Sequence, residues 1–221
     1  MKYILSLVAV FTITSVSGQV LLNKKDSVSY ALGAMIVRTM QQQGIEDVNT
    51  NLISQAITDA LQGKDVLLYP DEAQLCLNNY VREIRAKKEE ANKIAGEKFL
   101  MENAKDPDVV VLPSGLQYKV IVEGDGPVPV ASDKVKTHYH GTLIDGTVFD
   151  SSVDRNEPIS FNVTGVIKGW QEALQLMKVG SKWQLFVPEG LAYGQRARSD
   201  VIGPYSTLIF EIELLDIETN E

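Results

Sequence analysis

The apolar residues of this chain change their spacing once, near Asp106-Pro107. Before that point they recur every three or four residues, which is the spacing of one face of a helix. Beyond it they alternate, as on one face of a β-strand. A helical pattern and a strand pattern do not fit one element, so the two stretches must form different units. The sequence therefore predicts an all-α N-terminal part followed by an α+β domain.

Two short helices are predicted in the N-terminal part. The first has Asp26 as its N-cap and ends at Gly44, and the second covers residues 51–62 with Gly63 as its stop. Each has one apolar stripe, and together with half of a third helix they make only a thin core. Because small units of this kind often gain stability by association, we expect residues 19–84 to form a homodimer.

A single long connecting helix is predicted from Asp71 to about Ala104. One glycine and no proline interrupt this stretch, and at about 1.5 Å per residue the helix is about 50 Å long. Its first half has an apolar face that includes Cys76, which we expect to be packed. Because Arg85 to Lys98 is dominated by charge, residues 85–108 are predicted to be a solvated spacer and linker. The residues expected at its docking end are Ile94, Phe99 and Leu100.

The composition restricts the partners of the protein. A formal net charge of -8 lacks the basic footprint that nucleic-acid binding needs, and an apolar fraction of 44% is enough to bury a core. The only cysteine cannot form an internal disulfide, so folding must rely on core burial. We expect a protein or peptide partner and no nucleic acid.

The N-terminus has the pattern of an export signal. Lys2 supplies a positive charge, residues 3–13 are almost all apolar, and residues 15–18 are small. Residues 1–18 are therefore predicted to be a signal peptide that is cleaved near Gly18/Gln19. The mature chain is expected in the periplasm or cell envelope, and no later stretch approaches the roughly 20 apolar residues of a transmembrane helix.

Residues 109–221 are predicted to form the second domain. Alternating segments favour strands at residues 116–122, 134–143, 183–187 and 208–214, and Asp145-Gly146 is a hairpin turn signal. A short helix fits Val166 to Leu176. These elements predict an antiparallel sheet with one helix across it.

Nothing in this domain indicates hydrolytic or metal chemistry. It has no Gly-x-Ser-x-Gly elbow and no phosphate-binding glycine motif. His138 and His140 share one strand face, where two imidazoles could approach a metal. No acidic or cysteine partner stands at a supporting spacing, so two surface histidines explain the pattern as well. We expect no metal and no cofactor.

The aromatic residues of this domain carry a more specific signal. Packing in the core is the simplest interpretation of each one alone, but several lie inside segments that occur in a particular order. The segments are 138–143, 145–152, 166–170, 180–182, 188–194 and 207–214. In this order they resemble the signature of the FKBP family over residues 116–218. The preceding helices and the Pro-Ser-Gly-Leu-Gln-Tyr segment resemble its exported bacterial branch, the macrophage infectivity potentiator type.

The resemblance implies an FKBP-like half-barrel sheet wrapped on the short helix, with a shallow apolar pocket for a proline ring. It implies that Trp170 forms the floor, that Asp150 and Arg155 form a polar edge, and that the Ile167 N–H and Tyr193 hydroxyl hold substrate carbonyls. Asp150 can equally be a turn residue. Two residues depart from the common family pattern. An aromatic residue is common at the position of Ile159, and a histidine is common at the position of Arg198. The implied catalytic residues are Tyr139, Phe149, Asp150, Ile167, Trp170, Tyr193 and Phe210. The implied substrate-binding residues are Arg155, Ile159, Val166, Arg198 and Ile202.

The function that the resemblance implies is peptidyl-prolyl cis/trans isomerisation in residues 109–221. The partners would be proline-containing unfolded or nascent exported proteins, and macrolides of the tacrolimus and rapamycin type would be inhibitors. Two alternatives stay open at this point. One is a dimeric holding chaperone, and the other is a prolyl-binding interaction protein with little turnover.

Overall fold

The structure is a computed structural model that describes residues 23–199 and 201–218. The predicted signal peptide lies outside these residues. The chain divides into two compact units, Met1–Leu67 and Leu68–Glu221. The second unit contains the whole long helix together with the sheet. The functional boundary at residue 84, where dimerisation is expected to end, stays a prediction.

The first unit contains helices α1 (Lys24–Gln42) and α2 (Thr50–Leu61). The N-cap of α1 is Asn23, whose side chain accepts a hydrogen bond from the Asp26 N–H at 3.0 Å. The expectation that Asp26 is the cap was therefore wrong, because the helix begins almost one turn earlier. Neither helix has a buried residue, although both have apolar stripes. Across the described residues no helix is long and apolar enough to cross a membrane.

Helix α3 (Pro70–Asn103) confirms the single long helix. Pro70 occupies its first position, where no backbone N–H is needed, and the Glu72 carboxylate accepts from the Tyr69 N–H at 2.9 Å. Cys76 is exposed, so the expectation of a packed cysteine was wrong. The reason is that the apolar face of this half of α3, including Leu77 and Tyr80, is uncovered in the single chain.

The C-terminal part of α3 docks on the sheet of the second unit. The Phe99 ring lies 5.9 Å from the ring of Phe186, and the half-buried Leu100 accepts through its carbonyl from the Gln117 side chain at 2.9 Å. Phe99 and Leu100 thus form the expected docking end. Ile94 is exposed and does not belong to it, because it lies on another face of the helix.

In the described part of the second unit the strands form one antiparallel sheet of seven. They are β1 (Val109–Val111), β2 (Gln117–Val122), β3 (Lys134–Leu143), β4 (Val148–Ser151), β5 (Ile159–Asn162), β6 (Lys182–Val187) and β7 (Leu208–Glu218). The order is β1-β2-β6-β7-β3-β4, and β5 also pairs with β3. The first half of β3 pairs with β5 and its second half with β4, so the two short strands share one edge of β3.

The core lies between one face of this sheet and helix α4 (Lys168–Leu174). The predicted strand faces are confirmed in β3 and β7, where alternate residues are the buried ones. In β6 the predicted residues are buried too, but Phe186 on the other face is also buried, against Phe99 of α3. Helix α4 is shorter than the predicted Val166–Leu176. Ile167 is extended, with ψ of 152°, and acts as the N-cap of the helix.

Helix α4 provides a matched test of this core. Leu174 is fully buried, whereas Leu176, two residues later, is 46% exposed. We expect Leu174→Ala to lower the free energy of unfolding by about 2–5 kcal/mol, because it removes buried methyl groups and leaves a cavity. Leu176→Ala should change it by about 0.5 kcal/mol or less. Urea unfolding followed by circular dichroism measures both, and equal losses would place the core elsewhere.

Candidate functional site

A cleft of about 1410 Å³ opens beside α4. Ten of the twelve predicted site residues line it, and they come from β3, β4, α4, β7 and the connections before α4 and β7. These ten are Tyr139, Phe149, Asp150, Val166, Ile167, Trp170, Tyr193, Arg198, Ile202 and Phe210. Segments far apart in sequence therefore meet at one cleft.

Trp170 forms the centre of an aromatic cluster in this cleft. The ring centroid of Phe210 lies 5.1 Å from it, that of Tyr139 5.4 Å and that of Phe161 5.7 Å. The interplanar angles are 82°, 78° and 85°, so three rings stand almost upright around the Trp170 ring. Such edge-to-face contacts are the favoured arrangement of aromatic quadrupoles. The result is an apolar floor with upright walls.

Gly141 leaves room for one of these walls. A Cβ at this position would lie 2.6 Å from Cε2 of Phe149 and 3.1 Å from Cε1 of Phe210. No real Cβ tolerates the first distance, so only glycine lets both rings approach β3. The Phe149 and Phe210 rings then meet edge to face at 5.4 Å.

The polar edge of the cleft consists of Tyr139, Asp150 and Arg155. The Tyr139 hydroxyl donates to Asp150 Oδ2 at 2.5 Å, and Arg155 Nη1 donates to Asp150 Oδ1 at 2.6 Å. Arg155 Nη2 also donates to the Tyr139 hydroxyl at 3.2 Å. Arg155 does not line the cleft itself, but it holds two residues that do. Both carboxylate oxygens of Asp150 are thus occupied, which fixes the Tyr139 ring against Trp170.

These contacts keep the three groups in defined protonation states. Burial favours a raised pKa for Asp150, but the hydrogen bonds from Tyr139 and Arg155 outweigh it, and the pKa lies below the ordinary 3.8. Burial and the Asp150 hydrogen bond raise the pKa of Tyr139 above 10.0. At neutral pH the carboxylate is charged and the phenol keeps its proton. Because the folded pKa of Asp150 is lowered, its contribution to stability is present above pH 3.8 and is lost only below it.

The backbone before α4 presents a donor to the cleft. Ile167 is extended and half-buried, and among the described residues its N–H donates to no protein acceptor. Val166 is fixed beside it, because the Gln171 side chain donates to the Val166 carbonyl at 2.7 Å. The N–H of Ile167 is therefore available to a carbonyl in the cleft.

The connection between β6 and β7, residues 188–207, forms the opposite side. Tyr193 and Ile202 lie here, and the Arg198 guanidinium carbon is 5.8 Å from the centre of the Tyr193 ring. A cation near an aromatic face is attracted to it, which orients the Tyr193 ring. This side of the cleft depends on a long loop rather than on a strand or helix.

Two predicted residues are not in the cleft lining. Arg155 acts through Asp150, as described above, and Ile159 packs partly buried against the core. Phe161 lines the cleft instead, two residues further along β5. The period of two in a strand places residues 159 and 161 on the same face. Phe161 could therefore have been predicted from the sequence as a neighbour of Ile159. The other lining residues not named from sequence are Gly165, Lys168, Gly190, Ala192, Gly194, Arg196, Ala197 and Ser199.

The two histidines have a structural role on the other face of β3. His138 Nδ1 lies 3.1 Å from Ser152 Oγ, and His140 Nδ1 lies 2.9 Å from Ser151 Oγ. They link β3 to the chain that follows Asp150. Within residues 23–199 and 201–218 no three His, Cys, Asp or Glu side chains are grouped to hold a metal.

Two family models match the chain. Residues 126–215 match the model described as FKBP-type peptidyl-prolyl cis-trans isomerase. Residues 25–120 match the model described as the domain amino terminal to FKBP-type peptidyl-prolyl isomerase. The two models together span nearly all of the helices and the sheet and every residue that lines the cleft.

Similar proteins cover most of the chain. The "Outer membrane protein MIP" of Legionella longbeachae is 44% identical, with 88% of this chain and 86% of that protein aligned. The FKBP-type 22 kDa peptidyl-prolyl cis-trans isomerase of Escherichia coli is 45% identical, with 86% and 93% aligned. The crystal structure of FkpA from Escherichia coli superimposes with a TM-score of 0.71 at 34% identity, covering 90% of this chain and 99% of that one. The expected fold class is confirmed.

The pKa of Asp150 provides a test of the polar edge. In Arg155→Ala one donor that lowers this pKa is lost and burial still raises it, so we expect the pKa of Asp150 to rise. Lys119→Ala breaks another exposed ion pair, to Asp108 at 2.9 Å, and should leave it unchanged. Titration of the Asp150 carboxyl carbon by NMR measures the pKa in both variants. An unchanged value in Arg155→Ala would contradict the assigned contacts.

Proposed function

Because the chain belongs to the family of FKBP-type peptidyl-prolyl cis-trans isomerases, we propose that its cleft holds the proline ring of an X-Pro segment during isomerisation. The chain is a peptidyl-prolyl cis-trans isomerase. The observation that supports the proposal is the aromatic cluster of Trp170, an apolar floor surrounded by upright rings.

The reaction needs no acid, base or covalent step. Rotation about an X-Pro amide is slow because the C–N bond has partial double-bond character, which gives a barrier of about 18–20 kcal/mol. The twisted amide has less charge separation than the planar form, so it loses less hydration free energy when it leaves water. A site that removes the amide from water therefore favours the transition state over the ground state.

Each proposed residue has a part in this mechanism. The proline ring lies on Trp170 between Phe210 and Tyr139, and the Ile167 N–H and Tyr193 hydroxyl hold the flanking carbonyls in a turned conformation. Asp150, charged at neutral pH and bound by Arg155, keeps Tyr139 upright and adds a fixed negative field near the amide. Val166 and Ile202 complete the apolar surface, and Arg198 orients Tyr193.

Macrolides of the tacrolimus and rapamycin type are proposed to bind the same cleft. Their rings would use the same apolar floor and the same backbone donor as substrate. Phe161 supplies an aromatic wall residue, whereas Ile159 lies behind the lining. Arg198 adds a positive charge where the family commonly has histidine, so affinity for neutral macrolides should depend on this position.

The site predicts the effect of removing Phe210. This side chain is 5% exposed and lines the cleft, whereas Leu214 is on the same face of β7, fully buried and outside it. We expect Phe210→Ala to lower kcat/KM on a proline peptide by about tenfold or more, equivalent to about 1.4 kcal/mol of transition-state stabilisation. Leu214→Ala should lower stability but leave the activity of the folded fraction unchanged.

A protease-coupled proline peptide assay measures this difference, with a thermal melt for each variant. Truncation of either side chain can lower stability by about 2–5 kcal/mol, so rates are compared per folded molecule. Full activity in folded Phe210→Ala would show that the cleft is not the active site.

We also propose that the N-terminal helical region, residues 19–84, forms a homodimer. Apolar side chains on one face of α1 are exposed in the single chain, with Leu32 at 58%, Met35 at 66% and Ile36 at 40%. A continuous exposed apolar surface of this kind is typical of an interaction site. The family model for residues 25–120 supports a folded domain here rather than a loose segment.

The proposed substrates are unfolded or nascent exported proteins that contain proline. A mature chain in the periplasm or cell envelope is consistent with the relative named an outer membrane protein and with the apolar N-terminal residues. A holding activity is a second candidate function, favoured by the apolar surface of α1 and α2. Suppression of aggregation by a catalytically impaired Phe210→Ala protein would separate holding from turnover.

The proposed dimer predicts that charges placed in its interface halve the particle mass in solution. The variant Leu32→Glu/Ile36→Glu places two charges on the apolar face of α1 and should be monomeric, because buried unpaired carboxylates oppose association. The variant Ser27→Glu/Gln41→Glu adds the same charges on the opposite face and should stay dimeric. Light scattering of residues 19–221 measures the mass. A monomeric parent protein, or two variants of equal mass, would contradict the proposed interface.

A further inference from the structure

The loop that forms one side of the cleft is held internally by local turn hydrogen bonds rather than by a long helix or a strand pairing. Residues 188–207 supply nine of the nineteen lining residues, including Tyr193, but apart from the turn Glu189–Leu191 the described ones, 188–199 and 201–207, contain no regular structure. Inside the loop the Tyr205 N–H donates to the Gly194 carbonyl at 2.8 Å. Tyr205 has a φ of 56°, a left-handed conformation that is unfavourable for a tyrosine. A conformation of this kind persists only where the surrounding contacts hold it.

Helix α3 supplies such a contact. The side chain of Asn92 donates from Nδ2 to the Pro204 carbonyl at 2.8 Å, across 112 residues of sequence. This carbonyl and the Tyr205 N–H belong to the same planar peptide unit. One side of that unit is therefore bound to α3 and the other to Gly194, the residue after Tyr193. Rotation of the peptide would break both bonds together.

A second contact brings the helix close to the end of the loop. Gly96 is the buried residue of α3, and a Cβ there would overlap Thr207 Oγ1 and lie 3.3 Å from Thr207 Cβ. Thr207 is the last loop residue before β7. Glycine at this one position lets the helix backbone approach the loop, one turn after Asn92.

We propose that α3 is part of the frame of the active site, and that Asn92 and Gly96 are positioning residues for residues 188–207. Through the Pro204–Tyr205 peptide, Asn92 sets the position of Gly194 and so of Tyr193. Gly96 sets the distance between the helix and the end of the loop. The inference rests on the proposed role of this loop in holding substrate, and it assigns α3 a part in catalysis beyond connecting two regions.

The chain offers a matched control for Asn92. Asn103 lies on the same docking face of α3 and donates to Gln117 Oε1, also at 2.8 Å, but its partner is on β2 and does not belong to residues 188–207. If docking of α3 to the sheet is all that matters, loss of either bond has the same effect. If the loop is positioned by Asn92, only one of the two variants alters catalysis.

The test uses the mature full-length chain and a proline peptide. We expect Asn92→Ala, and Asn92→Asp, which keeps the shape but loses the N–H donor, to lower kcat/KM by about three- to tenfold, the range of one hydrogen bond. The loss should be mainly a rise in KM, because Tyr193 holds substrate, whereas a partly unfolded enzyme lowers kcat and leaves KM unchanged. Asn103→Ala should retain kcat/KM within about twofold of the parent.

A rescue experiment tests Gly96. Gly96→Ala should lower kcat/KM by forcing Thr207 away, and adding Thr207→Ala should restore it to within about twofold of the Thr207→Ala protein. If Gly96→Ala does not fold, Asn92→Asp still decides the question. Amide NMR spectra should show shifts for residues 190–205 in the Asn92 variants and none at Asp150.

Equal kinetic effects of Asn92→Ala and Asn103→Ala, or unshifted loop amides with full activity, would overturn the inference. An inactive parent protein would instead contradict the proposed function. The loop spectra would still decide whether Asn92 positions residues 188–207, so the two failures are distinguishable.

Discussion

The packing of Trp170 against the sheet is the contact on which both the core and the cleft depend. The indole is 4% exposed and touches rings from β3, β5 and β7. It therefore joins α4 to three strands that are distant in sequence. Because the rings meet it edge to face, their other edges remain at the surface of the cleft. The contacts that stabilise the core thus also shape the cleft in which we propose that substrate binds.

The polar edge is compatible with this apolar centre because its charges neutralise one another. A lone carboxylate beside the Trp170 cluster would be raised in pKa by burial. Two donors on Asp150 reverse that effect, and Arg155 supplies the compensating charge from a position outside the lining. The tyrosine between them is held by both its hydroxyl and its backbone, since the Tyr139 N–H donates to Ser152 Oγ at 2.8 Å. The cleft is consequently shaped before any substrate arrives, which reduces the entropy that binding must overcome.

The sequence predicted most of the sheet because a strand with one buried face has a period of two, and Val135, Thr137 and Tyr139 follow it without interruption. Element ends were less predictable. Val166 and Ile167 are apolar and fit a helix by spacing, but their backbone is extended to present a donor to the cleft. Ile159 and Phe161 share a face, and which of them reaches the cleft depends on the path of β5. Cys76 was misjudged because a stripe of apolar residues does not reveal whether its partner lies in the same chain.

Helix α3 illustrates why charge alone misleads about a helix surface. Between residues 85 and 103 most positions are polar, which is the pattern of a solvated spacer. Yet Asn92, Gly96 and Asn103 recur at helical spacing and contribute small or amide side chains to one docking face beside Leu100. Such a face carries little hydrophobic signal, because its specificity comes from close approach and hydrogen bonds to backbone carbonyls.

The same helix has an uncovered apolar face in its first half, at Leu77 and Tyr80. Since both faces belong to one continuous helix of 34 residues, whatever covers the first half is joined by unbroken backbone to Asn92 and Gly96, which contact residues 188–207.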